Sequence, residues 1–232
     1  MSEHVHSQES FAIPGLIRRY VDRNVGSGPA PRRVRFAQIG KMQLKPGRWL
    51  SFAAKQEMAI HRVEFAWDAR FRLATLVSVH VRDWYRDGDG GLDGRLFGRM
   101  PIIHAGGAEV ARGEAMRYLA ELPWAPHAML ANHALEWREI DGRSVEVSTL
   151  VGKTRVAVML QLDSQGDITE ASADARPRLV GKKAVPTAFR GVYSEYRVIG
   201  GVRMPTRAEA AWLLSEGPYP YFRGRLTDFV VD

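Results

Sequence analysis

Residues 107–126, GAEVARGEAMRYLAELPWAP, form a single helical pattern in a chain that otherwise reads as strand. Within the stretch Glu114, Arg117, Tyr118 and Glu121 fall at i, i+3, i+4 and i+7, so all four side chains leave one face of the helix. Val110, Met116, Leu119 and Leu122 supply an apolar face for packing on a sheet. Pro123 and Pro126, on either side of Trp124, stop the helix. A lone helix with one apolar and one titratable face fits a fold in which a sheet forms the core and the helix covers it.

Working outward from that helix, the period of the apolar residues changes to two. Val34, Phe36, Met42 and Leu44 share one face of a first strand, and Leu50, Phe52, Ala54, Gln56 and Met58 share one face of a second. Val63, Phe65, Trp67, Ala69 and Phe71 continue the pattern opposite Arg62, Glu64, Asp68 and Arg70, and Thr75, Val77, Val79 and Val81 follow. Tight turns such as Lys45-Pro46-Gly47 join them, the signature of an antiparallel meander. Residues 87–94, DGDGGLDG, read as a glycine-rich hairpin tip before a strand over 95–103. Their alternating aspartates invite a calcium reading, but Gly98 stands where a twelve-residue calcium loop needs its bidentate glutamate, and a plain turn suffices. After the helix, strands resume over 133–140, 144–151, 154–162, 168–173, 189–199, 204–214 and 221–230, with 176–187 as an irregular, basic, proline-containing connection. At the N-terminal end, residues 11–25 form a short amphipathic helix behind a disordered tail at 1–10.

These elements predict an α+β, mostly β protein, with residues 11–232 as one domain. A sheet of about ten or eleven strands with one apolar face must curl, giving a half-barrel whose concave face the central helix covers.

Composition narrows the function classes. The 232 residues carry 33 Lys and Arg against 26 Asp and Glu, a net charge of +7, and no cysteine, which removes disulfides and thiolate metal sites. The basic clusters are short (Arg18-Arg19, Arg32-Arg33 with Arg35, Lys182-Lys183) and the remaining charges alternate in sign along strands, so a nucleic-acid partner is not expected. No secretory signal is visible, and no apolar run approaches the roughly 20 residues of a spanning helix. The expectation is a cytoplasmic protein without a transmembrane segment.

The candidate chemistry centres on the helix. Glu114, Arg117 and Glu121 can serve as an acid–base set, two carboxylates around a guanidinium, if the space in front of them is dry. The same spacing also describes ordinary helix-stabilising ion pairs on a solvated face; if the residues form a site instead, Glu114→Gln or Arg117→Met should weaken binding or turnover while leaving stability within about 1 kcal/mol. Histidines at 61, 80, 104, 127 and 133 form neither H-x-H within a strand nor H-E-x-x-H, so no metal is expected. No G-x-S-x-G, P-loop or dinucleotide fingerprint occurs, and no cofactor is expected. Aromatic residues dominate β cores; Phe52, Phe65 and Trp67 would face the concave side, where with Tyr118 and Trp124 they are candidates to line a ligand site.

Two stretches, FAAKQ at 52–56 with Phe65-Ala66-Trp67, and YRVIGGVRMP at 196–205, resemble the half-barrel superfamily of bacterial lipoprotein carriers of the LolA/LolB type. Separately, Arg117-Tyr118-Leu119-Ala120-Glu121 with Trp124 and Pro126 resembles an uncharacterised bacterial domain family with the motif R-Y-L-A-E-x-x-W-x-P. The first resemblance implies a curved sheet around a hydrophobic cavity plugged by helices, a scaffold also used by an enzyme of violacein biosynthesis. Three readings follow. The leading one is a binder of a hydrophobic or amphipathic small molecule held between sheet and helix, its polar end oriented by Glu114, Arg117, Tyr118 and Glu121. The second is a cofactor-free cyclase, isomerase or hydrolase using Glu114 or Glu121 as acid or base and Arg117 as electrostatic partner. The third is an interaction module without a small ligand.

Overall fold

Alternating burial along the strands sorts the chain into an inner and an outer face, and thirteen strands close round the inner one. The computed structural model describes residues 12–74, 77–181 and 183–232; the tail expected at 1–10 lies outside them. The strands are β1 (Arg33–Lys45), β2 (Arg48–Ala59), β3 (Phe65–Ala74), β4 (Val77–Arg86), β5 (Asp89–Leu96), β6 (Met100–Gly106), β7 (Glu136–Asp141), β8 (Ser144–Val151), β9 (Thr154–Leu162), β10 (Ile168–Val180), β11 (Lys183–Ile199), β12 (Val202–Leu214) and β13 (Gly217–Val231). They form one antiparallel sheet in the order β6-β5-β4-β3-β2-β1-β13-β12-β11-β10-β9-β8-β7. Two meanders thus meet where the first strand pairs with the last, Val34 opposite Val231 and Met42 opposite Phe222. The protein is a mostly β half-barrel with a curved antiparallel sheet, a short N-terminal helix and a central helix.

The order explains the central helix. β6 and β7 are the two edges of the sheet, and the chain must cross between them. It does so through α2 (Ala108–Ala120), a 3-10 turn at Leu122–Trp124 and the short α3 (Ala128–Ala131). The expected single helix over 107–126 therefore stops at Ala120, because Pro123 cannot continue the ladder. The crossing lies on the concave face and touches strands of both meanders. Val110, Ala111, Ala115, Met116, Tyr118, Leu119 and Ala120 are buried against them.

α1 (Gly15–Asn24) begins just after Pro14 and buries Ile17, Tyr20 and Val21. Its Arg23 reaches the turn between β9 and β10, and its Asn24 accepts from Arg203 at the start of β12, so it covers one end of the half-barrel, here called the base. The turns between β1 and β2, β5 and β6, β8 and β9, β10 and β11, and β12 and β13 all lie at the other end, the rim, which no helix covers among the described residues.

Two expectations are corrected. The glycine-rich stretch is a strand, and a turn at residues 97–99 divides the strand expected over 95–103, so two strands stand where one was expected: only Asp87 and Gly88, both with positive φ, form the preceding turn, as a two-residue hairpin requires. The glycines instead admit close neighbours. A Cβ on Gly90 would meet Ala111 Cα at 2.9 Å, so α2 lies directly on β5. The irregular connection at 176–187 is the outer part of the β10–β11 hairpin, with Pro177 opposite Pro186 and Val180 opposite Lys183. β9 pairs with β10 only through Ser172 and β12 with β11 only from Ala188, so the ribbon runs beyond the sheet and its prolines interrupt no ladder. No described helix is long and apolar enough to cross a membrane.

Candidate functional site

Register places Gln56, Trp67 and Asp83 side by side on the inner faces of β2, β3 and β4. Arg117 comes down on this row from α2. Its guanidinium lies 4.9 Å from the Trp67 ring centroid and 5.1 Å from that of Phe65, which fixes its plane against two aromatic faces. From there Nη1 donates to Asp83 Oδ2 at 2.5 Å and Nε to Glu121 Oε1 at 2.9 Å, and the other oxygen of Glu121 accepts a short hydrogen bond from Gln56 Nε2. Three strands and a helix are tied together through one arginine. Glu114, one turn back on α2, completes the group.

Across the barrel Arg176 approaches the same region from the β10–β11 ribbon. Its Nε donates to Gly113 O at 3.2 Å and its Nη1 to the Tyr221 hydroxyl at 3.3 Å, with the guanidinium 5.0 Å over Phe189 and 5.4 Å over Trp212. Its polar partners are a carbonyl and a phenol rather than a carboxylate. Toward the rim the interior is aromatic: Phe52 stacks on Phe222 at 5.5 Å, and Trp212 on Tyr221 at 5.3 Å.

Electrostatically the cluster holds three carboxyl groups and two guanidinium groups where little water reaches. Burial raises Glu114 to about 8, the neighbouring Asp83 adds to the rise, and Arg117 and Arg176 oppose it. Burial also raises Asp83 against the pull of Arg117. For Arg117 itself burial works downward, but Glu121, Asp83 and Glu114 outweigh it and hold the charge firmly. The stem of Glu114 is half-buried, yet its Oε2 is enclosed and accepts from no protein donor. The same holds for Asp83 Oδ1 and Gln56 Oε1, on residues only 7% and 2% exposed. Three buried acceptor oxygens without a protein partner in one cluster are uncommon in a native interior.

The residues expected at a site divide into two groups. Glu114, Arg117 and Glu121 come together, with Phe65 and Trp67 as the floor beneath Arg117 and Phe52 nearer the rim. Tyr118 and Trp124 stand apart from them. The Tyr118 hydroxyl donates to Ala59 O at 2.8 Å and accepts from Asn132, and Trp124 Nε1 donates to Pro205 O at 2.8 Å, both toward the base. Asp83, Gln56, Arg176 and Tyr221 were missed by the sequence reading. A polar residue in phase with apolar neighbours on a strand, as Gln56 and Asp83 are with Phe52 and Val81, was the available signal for the first two. Arg117, with 13% of its side chain exposed, does not face solvent as the expected effect of its replacement assumed.

On the opposite, outer face of the sheet, β1–β5 form an open groove of about 930 Å³ lined by Lys55, Glu57, Asp68, Arg70, Arg82 and Asp93 among others. Its charges alternate in sign and pair across strands, as Asp68 and Arg82 do at 3.9 Å, so it favours no one class of ligand. The sheet separates it from the cluster.

A curved antiparallel sheet crossed on its concave face by a helix defines a half-barrel of the LolA type, and solved structures agree. A LolA superfamily protein from Nitrosomonas europaea is 11% identical, with a TM-score of 0.51 over 94% of this chain and 92% of that one. A DUF1329 family protein from Desulfovibrio piger is 12% identical, with a TM-score of 0.50 over 94% and 90%. At these identities the likeness is one of fold. The chain belongs to DUF6544, a family of unknown function, which matches residues 3–224. No curated protein matches it in sequence.

Proposed function

We propose that this half-barrel binds an amphipathic small molecule, its apolar part among the aromatic side chains below the rim and its polar end at Glu114, Asp83 and Arg176. The observation that carries the reading is the cluster itself. Buried carboxyl and amide oxygens without donors destabilise a fold that has no use for them; three occur here, and the charge of Arg176, whose hydrogen-bond partners are neutral, acts on the two carboxyls. A ligand head able both to donate to Asp83 Oδ1 and Glu114 Oε2 and to accept from Arg176 would complete the set. The half-barrel fold supports the apolar half of this reading, since it sets aromatic side chains on a concave face under the helix.

Native mass spectrometry of the protein purified from its own host tests the proposal. A retained molecule at near one-to-one stoichiometry, lost on Glu114→Gln or Arg176→Met without unfolding, is the expected result. A clean mass, with no stabilisation by a panel of fatty acids, fatty amines and lipids, would defeat it.

A second reading has one observation in its favour. A carboxyl held near 8 beside a fixed guanidinium is a general acid at neutral pH, which a passive binder does not need. In an enzyme of this kind Glu114→Gln abolishes turnover while the ligand still binds; loss of both together favours the binder.

A further inference from the structure

The two ends of the half-barrel differ in charge. At the rim, the described turns and the strand ends beside them carry Lys45, Arg48, Arg99, Lys153 and Lys183 against Glu216. At the base, the turns and strand ends carry Arg62, Arg86 and Arg143 against Glu64, Asp87, Asp89, Asp141, Asp163 and Asp167, leaving histidine aside, but the basic α1 and the start of β1 offset them, so this end is close to neutral where the rim is cationic. Antiparallel pairing, rather than proximity in sequence, gathers five cations from four separate hairpins at one end. The overall charge of +7 gives no hint of this polarity.

Large apolar side chains stand exposed among those cations. Phe97 and Met100, in and beside the β5–β6 turn, are 54% and 60% exposed, and Leu179 and Val180 at the tip of the β10–β11 ribbon are exposed as well. Single exposed apolar residues need no explanation, but here two hairpins from opposite arms of the sheet present them at the same end, beside lysine and arginine. Hairpin tips of this kind can enter the boundary of a bilayer, while the long basic side chains reach phosphate and carboxylate head groups around them.

We propose that the rim docks on an anionic lipid surface, with Phe97, Met100, Leu179 and Val180 inserted and Lys45, Arg48, Arg99, Lys153 and Lys183 on the head groups. The charge complementarity is what selects a membrane over a second copy of the chain: two rims face to face would oppose ten like charges. Docked in this way, the aromatic end of the interior lies nearest the membrane and α1 faces away from it. The proposal is independent of the ligand reading, since a rim can bind lipid head groups whether or not the interior holds a molecule.

Cosedimentation of the full chain with phosphatidylcholine vesicles, with and without phosphatidylserine, tests it. Partitioning is expected only onto the anionic vesicles, falling as salt is raised. Lys45→Glu with Lys153→Glu should lower it at least about tenfold, and Arg62→Glu with Arg143→Glu at the base should not lower it. Equal binding to both vesicles, no binding at low salt, or equal sensitivity to rim and base variants overturns the proposal. Orientation gives a second measurement that does not depend on charge reversal. A tryptophan at Phe97→Trp should be quenched by brominated acyl chains, and one at Val198→Trp, exposed at the base, should not; the opposite pattern refutes the assignment. Concentration-dependent dimers abolished by Phe97→Ser, without vesicle binding, would make the rim a self-interface instead.

Discussion

Two arginine–carboxylate clusters hold this protein together, one at the base and one on the inner face beneath the rim, and they differ in how completely their hydrogen bonds are made. At the base, Asp167 Oδ1 accepts from Arg23 and Arg203 at 2.6 and 2.7 Å, and Oδ2 accepts from Arg203 at 2.7 Å. Arg203 lies 4.7 Å over the Tyr196 ring, and the Tyr196 hydroxyl donates to Ile168 O. Both carboxylate oxygens are occupied. In the inner cluster Arg117 plays the part of Arg203, with Trp67 in place of Tyr196, yet Asp83 Oδ1 and Glu114 Oε2 have no donor. The carboxylate is fully paired in one place and left open in the other, although at the base the buried Nδ2 of Asn24, whose Oδ1 accepts from Arg203, also lacks a partner. A closed network fixes a helix to a sheet, whereas an open one retains the capacity to bind.

Trp67→Ala puts the largest strain on this comparison. Trp67 is 1% exposed, fills the inner face between Gln56 and Asp83, and is the surface on which Arg117 rests. Its loss should cost about 3–5 kcal/mol in urea unfolding. A cost near zero would mean that the open cluster stands on loosely packed structure and that its unpartnered oxygens report slack rather than function.

Asp167→Ala comes next, at about 2–3 kcal/mol. Three charge-assisted bonds disappear, but Arg23 and Arg203 have 39% and 31% of their side chains exposed and will rehydrate, so the loss stays below that of a fully buried pair. Ligand retention should survive. If it vanishes while the protein remains folded, the closed cluster is not purely structural and the contrast fails.

The contrast itself was only half legible in the sequence. The period-two pattern located most strands, and helical spacing brought Glu114, Arg117 and Glu121 together, because both are local regularities of one chain segment. The partners of those residues come from elsewhere. Asp83 and Gln56 join the site through strand register, and Arg176 arrives on a ribbon whose prolines disguised it as a loop. The glycines at 90 and 91 read as turn residues because the sequence does not disclose that α2 and Trp84 press on them. Tyr118 shares the helical phase of the acidic residues, but a helix packed in a concave sheet is surrounded on most sides, so one phase can look toward two different environments.

Glu114→Gln sharpens the comparison through pH. The Glu114 carboxyl holds its proton up to about 8, against an ordinary value of 4.5, so between those values the native state binds a proton that the unfolded chain has released. Its contribution to stability is therefore full below about pH 4.5 and is lost as pH rises through about 8. Relative to the glutamine variant, the parent protein should lose about 2 kcal/mol between pH 5 and pH 9, a figure reduced from the full shift because the side chain is only partly enclosed. Asp83 is raised in the same sense and its charge acts on Glu114, so the difference between the two proteins reports the pair rather than Glu114 alone. Parallel pH profiles would remove the unusual carboxyl, and with it the enzyme reading.

The smallest effect, from Tyr118→Phe, separates the two sides of α2. The hydroxyl links the helix to Ala59 O and Asn132 on the base side, one position along the chain from Arg117. Removing it leaves a carbonyl without its donor and an amide without its acceptor, at about 1 kcal/mol, with the ring still buried. Thermal unfolding should register that loss while ligand retention and any pH profile dependent on Glu114 stay unchanged. If the variant instead releases the ligand at unaltered stability, the polar contacts of the site extend round the helix to its base side. In that event α2 would be enclosed by the site on both faces, and the open cluster would be only its better exposed half.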